Sequence, residues 1–285
     1  DGSIMWQFEG QKGKPYYQEH IDLVTAIRTS EPFNEAQNTA ESTLVGIMGR
    51  ISAYTGKEVT WEEMMNSDLF RNALKKGYEL GYHTIFIPDT WGGLGTDPLE
   101  THIVLEELAW GSVDFAIGIG VSCFPAFFAT MVPNDKLAEE IIEPFCANED
   151  ASIIGCWAIT EPEHGTDTLC PYTPEFENPA ISGQLTARLD GDAYIIEGQK
   201  SAWVSNGTIA THALAYLTID PSMGMAGGGI CVVPLDLPGV RKGRPLDKMG
   251  QRALNQGEIF FDKVRVPREY MLVDPESYSA MLDIT

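Results

Sequence analysis

The chain has 285 residues, 44% of them hydrophobic, enough to bury a substantial core spread over two or three domains. Its formal net charge of -22 excludes ordinary nucleic-acid binding and argues against docking on an anionic membrane surface. No uninterrupted apolar run reaches the ~18 residues of a membrane span, so no membrane insertion is expected.

In chain order, the first ten residues, DGSIMWQFEG, lack the basic region and apolar core of a secretory signal. Residues 70–83 (FRNALKKGYELGYH) carry apolar positions at helical spacing and stop at Gly81. Residues 97–110 and 112–131 predict two further helices, the second so uniformly apolar that it belongs inside. Asn134 or Asp135 caps a short helix running to about Asn148. From Ala151 the period changes from helical to alternating. SIIGCWAIT, LTARLDGDAYIIEGQKSAWVSN, THALAYLTI, GGICVVPL and GEIFFDKVRVP read as short strands between Gly, Asp, Asn and Pro turns, which predicts an antiparallel barrel or roll. GMAGGG (224–229) precedes a strand and no helix, so it reads as a hairpin turn and not as a phosphate loop.

The densest chemistry lies in CWAITEPEHGTD (156–167). Trp157 and Ile159 alternate with Ala158, Thr160 offers a hydroxyl at the strand end, Pro162 breaks the ladder, and Gly165 with Thr166 makes a donor-rich bend. About forty residues on, SAWVSNG places Trp203 two residues before the hydroxyl of Ser205. Each of these has a plain alternative: a core tryptophan, a strand-end hydroxyl, a turn-stabilising threonine. His164 reads as a solvated loop residue, and Glu161 and Asp167 as turn and network residues. The histidines at 20, 83, 102, 164 and 212 show no metal-ligand spacing, so no metal is expected. No Gly-x-Ser-x-Gly elbow is present. The cysteines at 123, 146, 156, 170 and 231 include no C-x-x-C pair and read as reduced thiols, consistent with a cytoplasmic protein.

Together with DGDAYIIEGQKSAWVSNG (190–207), LDKMGQRALNQGEIFFDKVRVPREYML (246–272), IPDTWGGLG (87–95) and LEELAWGS (105–112), the segment Ala158–Asp167 resembles the acyl-CoA dehydrogenase family over about residues 69–285. His164 departs from it, since a small residue is usual there. The resemblance implies an α+β fold: a helical layer (69–150), a middle β-barrel (151–268), and at 269–285 only the start of a C-terminal four-helix domain that is otherwise absent. It implies FAD as cofactor, held by Trp157, Ile159, Thr160, Thr166, Trp203 and Ser205, and an acyl-CoA substrate met by Thr166, Ala116 and Gly120. Trp203 would lie against the flavin rings, Trp157 beside the thioester, and Ala116 and Gly120 on the floor of the acyl pocket. A homo-oligomer and an electron-transfer flavoprotein as acceptor are implied for the parent enzyme. No catalytic residue is assigned, because the base is expected in the absent domain, and this chain is then an incomplete or fused form inactive by itself. The alternatives are a non-catalytic flavin- or acyl-CoA-binding subunit that needs a partner, or an NAD-dependent fragment of the kind described next.

Residues 1–68 read differently. YYQEHIDLVTAIRTSEPFNEAQNTAESTLVGIMGRISAYTGKEVTWEEMMNSDL (16–69) resembles the C-terminal tail of the Gfo/Idh/MocA oxidoreductases, with Thr60 and Glu63 spaced as a capping box. The nucleotide-binding domain of that family is not represented, so none of its chemistry carries over. The junction near Leu69 admits a fusion or misjoined reading frame, an artificial chimera, or a divergent helical region.

Overall fold

The computed structural model describes residues 67–282 together with Thr25, Arg28 and Thr29. The chain divides into two units, Asp1–Gly56 and Lys57–Thr285, and the account below concerns the second. The expectations for residues 1–66, including the Gfo/Idh/MocA-like tail and the Thr60 cap, lie outside the described residues.

Helix α1 (Ser67–Glu79) buries Phe70, Leu74 and Tyr78, one residue per turn on a single stripe, and the chain leaves it through Gly81 at φ 80°. Helix α2 (Pro98–Gly111) begins in a capping box. The Asp97 carboxylate accepts from the Glu100 amide, the Glu100 side chain accepts from the Asp97 amide, and Pro98 sits where no amide hydrogen is needed. Helix α3 (Val113–Met131) is capped by Ser112 and packs against the first strand, β1 (Gly155–Ala158). By length and composition α3 would also span a membrane, which uninterrupted apolar runs alone do not reveal. Here 56% of its most apolar stretch is buried inside the molecule. A helical segment from Asp135 to Cys146, capped by Asn134 and with a π-helical centre at Ala138–Ile142, closes the helical layer.

The remaining strands are β2 (Thr186–Asp190), β3 (Ala193–Ser205), β4 (His212–Thr218), β5 (Gly228–Pro234), β6 (Val240–Lys242), β7 (Gln256–Pro267) and β8 (Met271–Val273). They form one sheet in the order β6-β7-β3-β2-β4-β5-β8, with β1 paired to β4 off this path. This corrects the expected barrel: β6 and β8 are the two ends of the path and do not pair, so the sheet stays open. It is also not wholly antiparallel. β1 runs parallel to β4, with Gly155 opposite His212, and β2 touches β4 in parallel at Thr186 and Thr218. The glycine-rich segment is the turn of an antiparallel connection. A 3-10 turn at Pro221–Gly227, with Gly224 at φ 67°, joins β4 to β5. After β8, helix α4 (Pro275–Leu282) lays Tyr278 between the rings of Phe176 and Tyr216.

Two glycines of α3 stand in opposite surroundings. A Cβ on Gly118 would lie 2.4 Å from the ring of Phe70, whereas one on Gly120 would meet only Phe86, at 3.9 Å. Gly120→Ala is therefore expected to leave stability unchanged or raise it by up to ~1 kcal/mol through helix propensity. Gly118→Ala is expected to lower it. Chemical denaturation of the two variants checks this, and the opposite order would contradict the packing described.

Candidate functional site

The site is built where α3, β1 and the far end of β3 meet, and one residue makes that junction. Asn206 is fully buried at φ 64°, and its amide nitrogen donates to the Gly118 carbonyl of α3 at 2.8 Å and to the Gly155 carbonyl of β1 at 3.1 Å. Its backbone amide reaches the Asn255 carbonyl at 2.6 Å. The left-handed conformation turns the chain sharply after Ser205, which is why asparagine suits the position. The turn thereby ties the end of β3 to α3, the helix that carries Ala116 and Gly120. Both α3 residues are buried and lie one helical turn apart on one side.

Strand β3 is irregular just before the second tryptophan. Its register with β7 slips between Lys200 and Val204, and Ala202 takes φ 54°. A bulge re-aims the side chains that follow it. Trp203 turns out to solvent with 59% of its surface exposed, while Val204 points into the core at 1%. Ser205 stands on the Trp203 side of the strand and is half-buried. Gln256 of β7, its cross-strand partner, donates from Nε2 to the Ser205 hydroxyl oxygen at 2.9 Å. Among the described residues no acceptor takes the Ser205 hydroxyl hydrogen.

The tripeptide Ile159–Glu161 is clasped to β3 from the other side. Thr160 donates its hydroxyl hydrogen to the Ser201 carbonyl at 2.8 Å, and the Ser201 amide returns a bond to the Thr160 carbonyl at 2.9 Å. Lys200 donates from Nζ to the Ile159 carbonyl and to Glu161 Oε1, each at 2.7 Å. The two charged side chains are 1% and 2% exposed. Glu161 also accepts from the backbone amides of Gln184 and Leu185. Burial pulls the Lys200 ammonium pKa down, and the adjacent carboxylate opposes that pull. Ion pair and amides together satisfy a buried charge that would otherwise be prohibitive.

Trp157 is half-buried, edge-on to Phe124 of α3 at 5.1 Å and to Tyr216 at 6.3 Å, and its buried indole N–H has no partner among the described residues. Ile159 is buried just past the end of β1. Thr166 opens a 3-10 turn at Thr166–Leu169, and its side chain is not among the described ones. His164 is not the solvated loop residue the sequence suggested. Its side chain is 12% exposed, and Nδ1 bonds Asp167 Oδ2 at 2.7 Å. Asp167 Oδ1 accepts from the Gly165 amide, so one carboxylate braces the bend from both sides. Arg252 pairs with Asp247 of its own loop at 2.9 Å, and the loop reaches the helical layer through the Ala253 amide, which donates to Asp114 at 2.9 Å.

Thr160 and Ile159 are thus tied to β3, which carries Trp203 and Ser205, and Trp157 packs on α3, which carries Ala116 and Gly120, in one helix–sheet junction. Lys200, Asn206 and Gln256, which hold it together, were not singled out. An exposed indole beside a hydroxyl with a spare hydrogen fits a flat heteroaromatic ligand that carries an acceptor. Thr160 has spent its hydrogen, so its oxygen offers only lone pairs and fits a ligand N–H. Among the described residues no group of three or more His, Cys, Asp or Glu side chains could hold a metal ion. Burial raises the thiols of Cys123, Cys156 and Cys231, that of Cys156 to about 12.

The family model described as acyl-CoA dehydrogenase, N-terminal domain, matches residues 50–149, beginning inside the segment 1–68 set apart by sequence. That described as acyl-CoA dehydrogenase, middle domain, matches residues 156–264. The short-chain specific acyl-CoA dehydrogenase, mitochondrial, of Bos taurus is 28% identical over 205 residues, which cover 71% of this chain and 45% of that protein. The chain spans about half the length of the curated relatives it matches. A solved glutaryl-coenzyme A dehydrogenase in complex with glutaryl-CoA is similar at a TM-score of 0.62 and 25% identity, covering 79% of this chain and 60% of that one. An acyl-CoA dehydrogenase complexed with FAD from Bacillus anthracis has the same fold at a TM-score of 0.65 and 21% identity, covering 90% of this chain and 41% of that one. With both domain models in the right order on the right elements, the chain belongs to the acyl-CoA dehydrogenase family.

Proposed function

We propose that this chain is the flavin- and acyl-binding part of an FAD-dependent enzyme that dehydrogenates an acyl-CoA thioester between its α and β carbons. The observation that carries the reading is the exposed Trp203 indole beside Ser205, whose hydroxyl keeps its hydrogen. In this reading Trp203 lies against the flavin rings and Ser205 donates at the N5/O4 side. Thr160 and the Ile159 backbone meet the pyrimidine edge, with the Thr160 oxygen accepting from the ring N–H. Trp157 stands beside the thioester, and Thr166 approaches the pyrophosphate or the pantetheine arm. Ala116 and Gly120 form the floor of the acyl pocket. FAD, when bound, supplies the hydride acceptor for the β-hydrogen. The chain contributes a shaped apolar wall and fixed donors that need no reorganisation.

No carboxylate among the described residues is assigned as the base for the α-proton. The chain by itself is therefore expected to bind FAD weakly and not to turn over. A homo-oligomeric parent that passes electrons to an electron-transfer flavoprotein belongs to the same proposal.

The small side chains of Ala116 and Gly120 bear on substrate length. The bovine relative is short-chain specific by its name, whereas a floor of Ala116 and Gly120 stops nothing. Titrating the FAD-saturated chain with saturated acyl-CoA thioesters of increasing length, read by perturbation of the flavin spectrum, tests the assignment. Affinity is expected to rise by ~0.8 kcal/mol for each methylene that is buried. Gly120→Glu is expected to remove the gain for the longer chains only. A spectrum that no acyl-CoA perturbs would overturn the function, and a length profile unchanged by Gly120→Glu would overturn the floor.

A further inference from the structure

The loop that precedes β7 holds a buried cation. Lys248 is 9% exposed, and its Nζ donates to the Leu254 carbonyl at 2.8 Å and to Gln256 Oε1 at 2.7 Å. Asp114, on the first turn of α3, attracts the ammonium and opposes the effect of its burial. An ammonium can only donate, so its partner on Gln256 must be the carbonyl oxygen, and the Gln256 amide nitrogen must face the other way. There it donates to Ser205 Oγ at 2.9 Å and, more weakly, to the Trp203 carbonyl at 3.4 Å. The amide nitrogen cannot accept. The Ser205 hydroxyl is therefore filled as an acceptor from behind and left to donate forward, on the side of the strand where Trp203 is exposed. Hydrogen bonds in such a series polarise one another, so each strengthens the next.

We infer that Lys248 and Gln256 are positioning residues that lock the Ser205 hydroxyl as a hydrogen-bond donor toward the flavin N5. The inference rests on the flavin reading above and adds to it a fixed polarity. The nitrogen at position 5 of oxidised FAD accepts a hydrogen bond, while the C–H at the same place in 5-deaza-FAD does not.

The test compares equilibrium affinities of the chain for FAD and 5-deaza-FAD. Wild type is expected to prefer FAD by about tenfold, the worth of one good hydrogen bond. Ser205→Ala should remove the preference. Gln256→Glu is the decisive variant. It is nearly isosteric and keeps the bond from Lys248, but its carboxylate can only accept, so it draws the Ser205 hydrogen inward. It should abolish the preference as fully as Ser205→Ala while leaving the affinity for 5-deaza-FAD within about threefold of wild type. Lys248→Met should give an intermediate ratio. If Gln256→Glu keeps the wild-type ratio, or weakens both analogues equally, the relay is refuted and the flavin wall stands. If neither analogue binds to wild type, the flavin reading fails and the relay fails with it.

Discussion

Lys200→Met is expected to destabilise the protein by ~3–5 kcal/mol, because it leaves the Glu161 carboxylate buried without its cation. Two backbone amides still reach that carboxylate, from Gln184 and Leu185, but they cannot neutralise it. The loss should be local as well as global. Lys200 also holds the Ile159 carbonyl, so the segment bearing the Thr160 hydroxyl is expected to loosen first. Replacing both partners, as Lys200→Met with Glu161→Leu, should recover most of the stability, since an apolar pair of similar volume avoids the desolvation cost. Urea denaturation of the two single variants and the double variant measures the coupling. Additive losses would show that the pair does not act as a unit.

Gly155→Val is expected to cost about 3 kcal/mol, the upper end of the range for overpacking. A Cβ at this position would lie 2.2 Å from the Ser122 carbonyl oxygen and 2.6 Å from Pro125 Cδ, so α3 must move off β1. The shift would pull apart the two carbonyls that Asn206 bridges, which belong to Gly118 and to Gly155 itself. Gly250→Ala is the control: it lies in an exposed loop with nothing within 4 Å of its Cβ position, so a change under ~0.5 kcal/mol is expected. Thermal melts of the pair check both numbers. A tolerated valine at 155 would mean that the helix-to-sheet contact is looser than the distances imply.

Local physics explains what could be read from the sequence. The cap at Asn134 is a short-range device and the apolar spacing of 97–110 and 112–131 is a local pattern, so α2, α3 and the segment after Asn134 followed directly from the residues. The change of period near Ala151 marked the sheet for the same reason. Whether that sheet closes is a different kind of fact, because it depends on which distant strands pair. The parallel pairing of β1 with β4, and the separation of β6 from β8, have no local signature, and the antiparallel barrel was the wrong extrapolation. The motif residues Trp157, Thr160, Trp203 and Ser205 stand out through family resemblance alone. Their supports do not stand out. Lys200 sits in a strand between polar neighbours and reads as a solvated lysine, and only its inward register reveals the partner 39 residues away in Glu161. Asn206 carried a signal that went unused. Asn-Gly after a strand predicts a left-handed turn, though not that its side chain would bind α3 to β1. The bulge at Ala202 was hidden because alanine gives no hint of positive φ.

The exposed face of Trp203 is proposed as a flavin wall. The most direct test is an equilibrium titration of the chain with FAD, followed by quenching of flavin fluorescence, for wild type, Trp203→Ala and His164→Ala. Trp203 is exposed, so its removal should leave the fold intact, which circular dichroism can verify. The account predicts weak but saturable binding in wild type, weaker by ~tenfold or more in Trp203→Ala. His164→Ala, which alters only the brace on the neighbouring bend, should lose less. Equal affinity in wild type and Trp203→Ala, or a larger loss in His164→Ala than in Trp203→Ala, would contradict it.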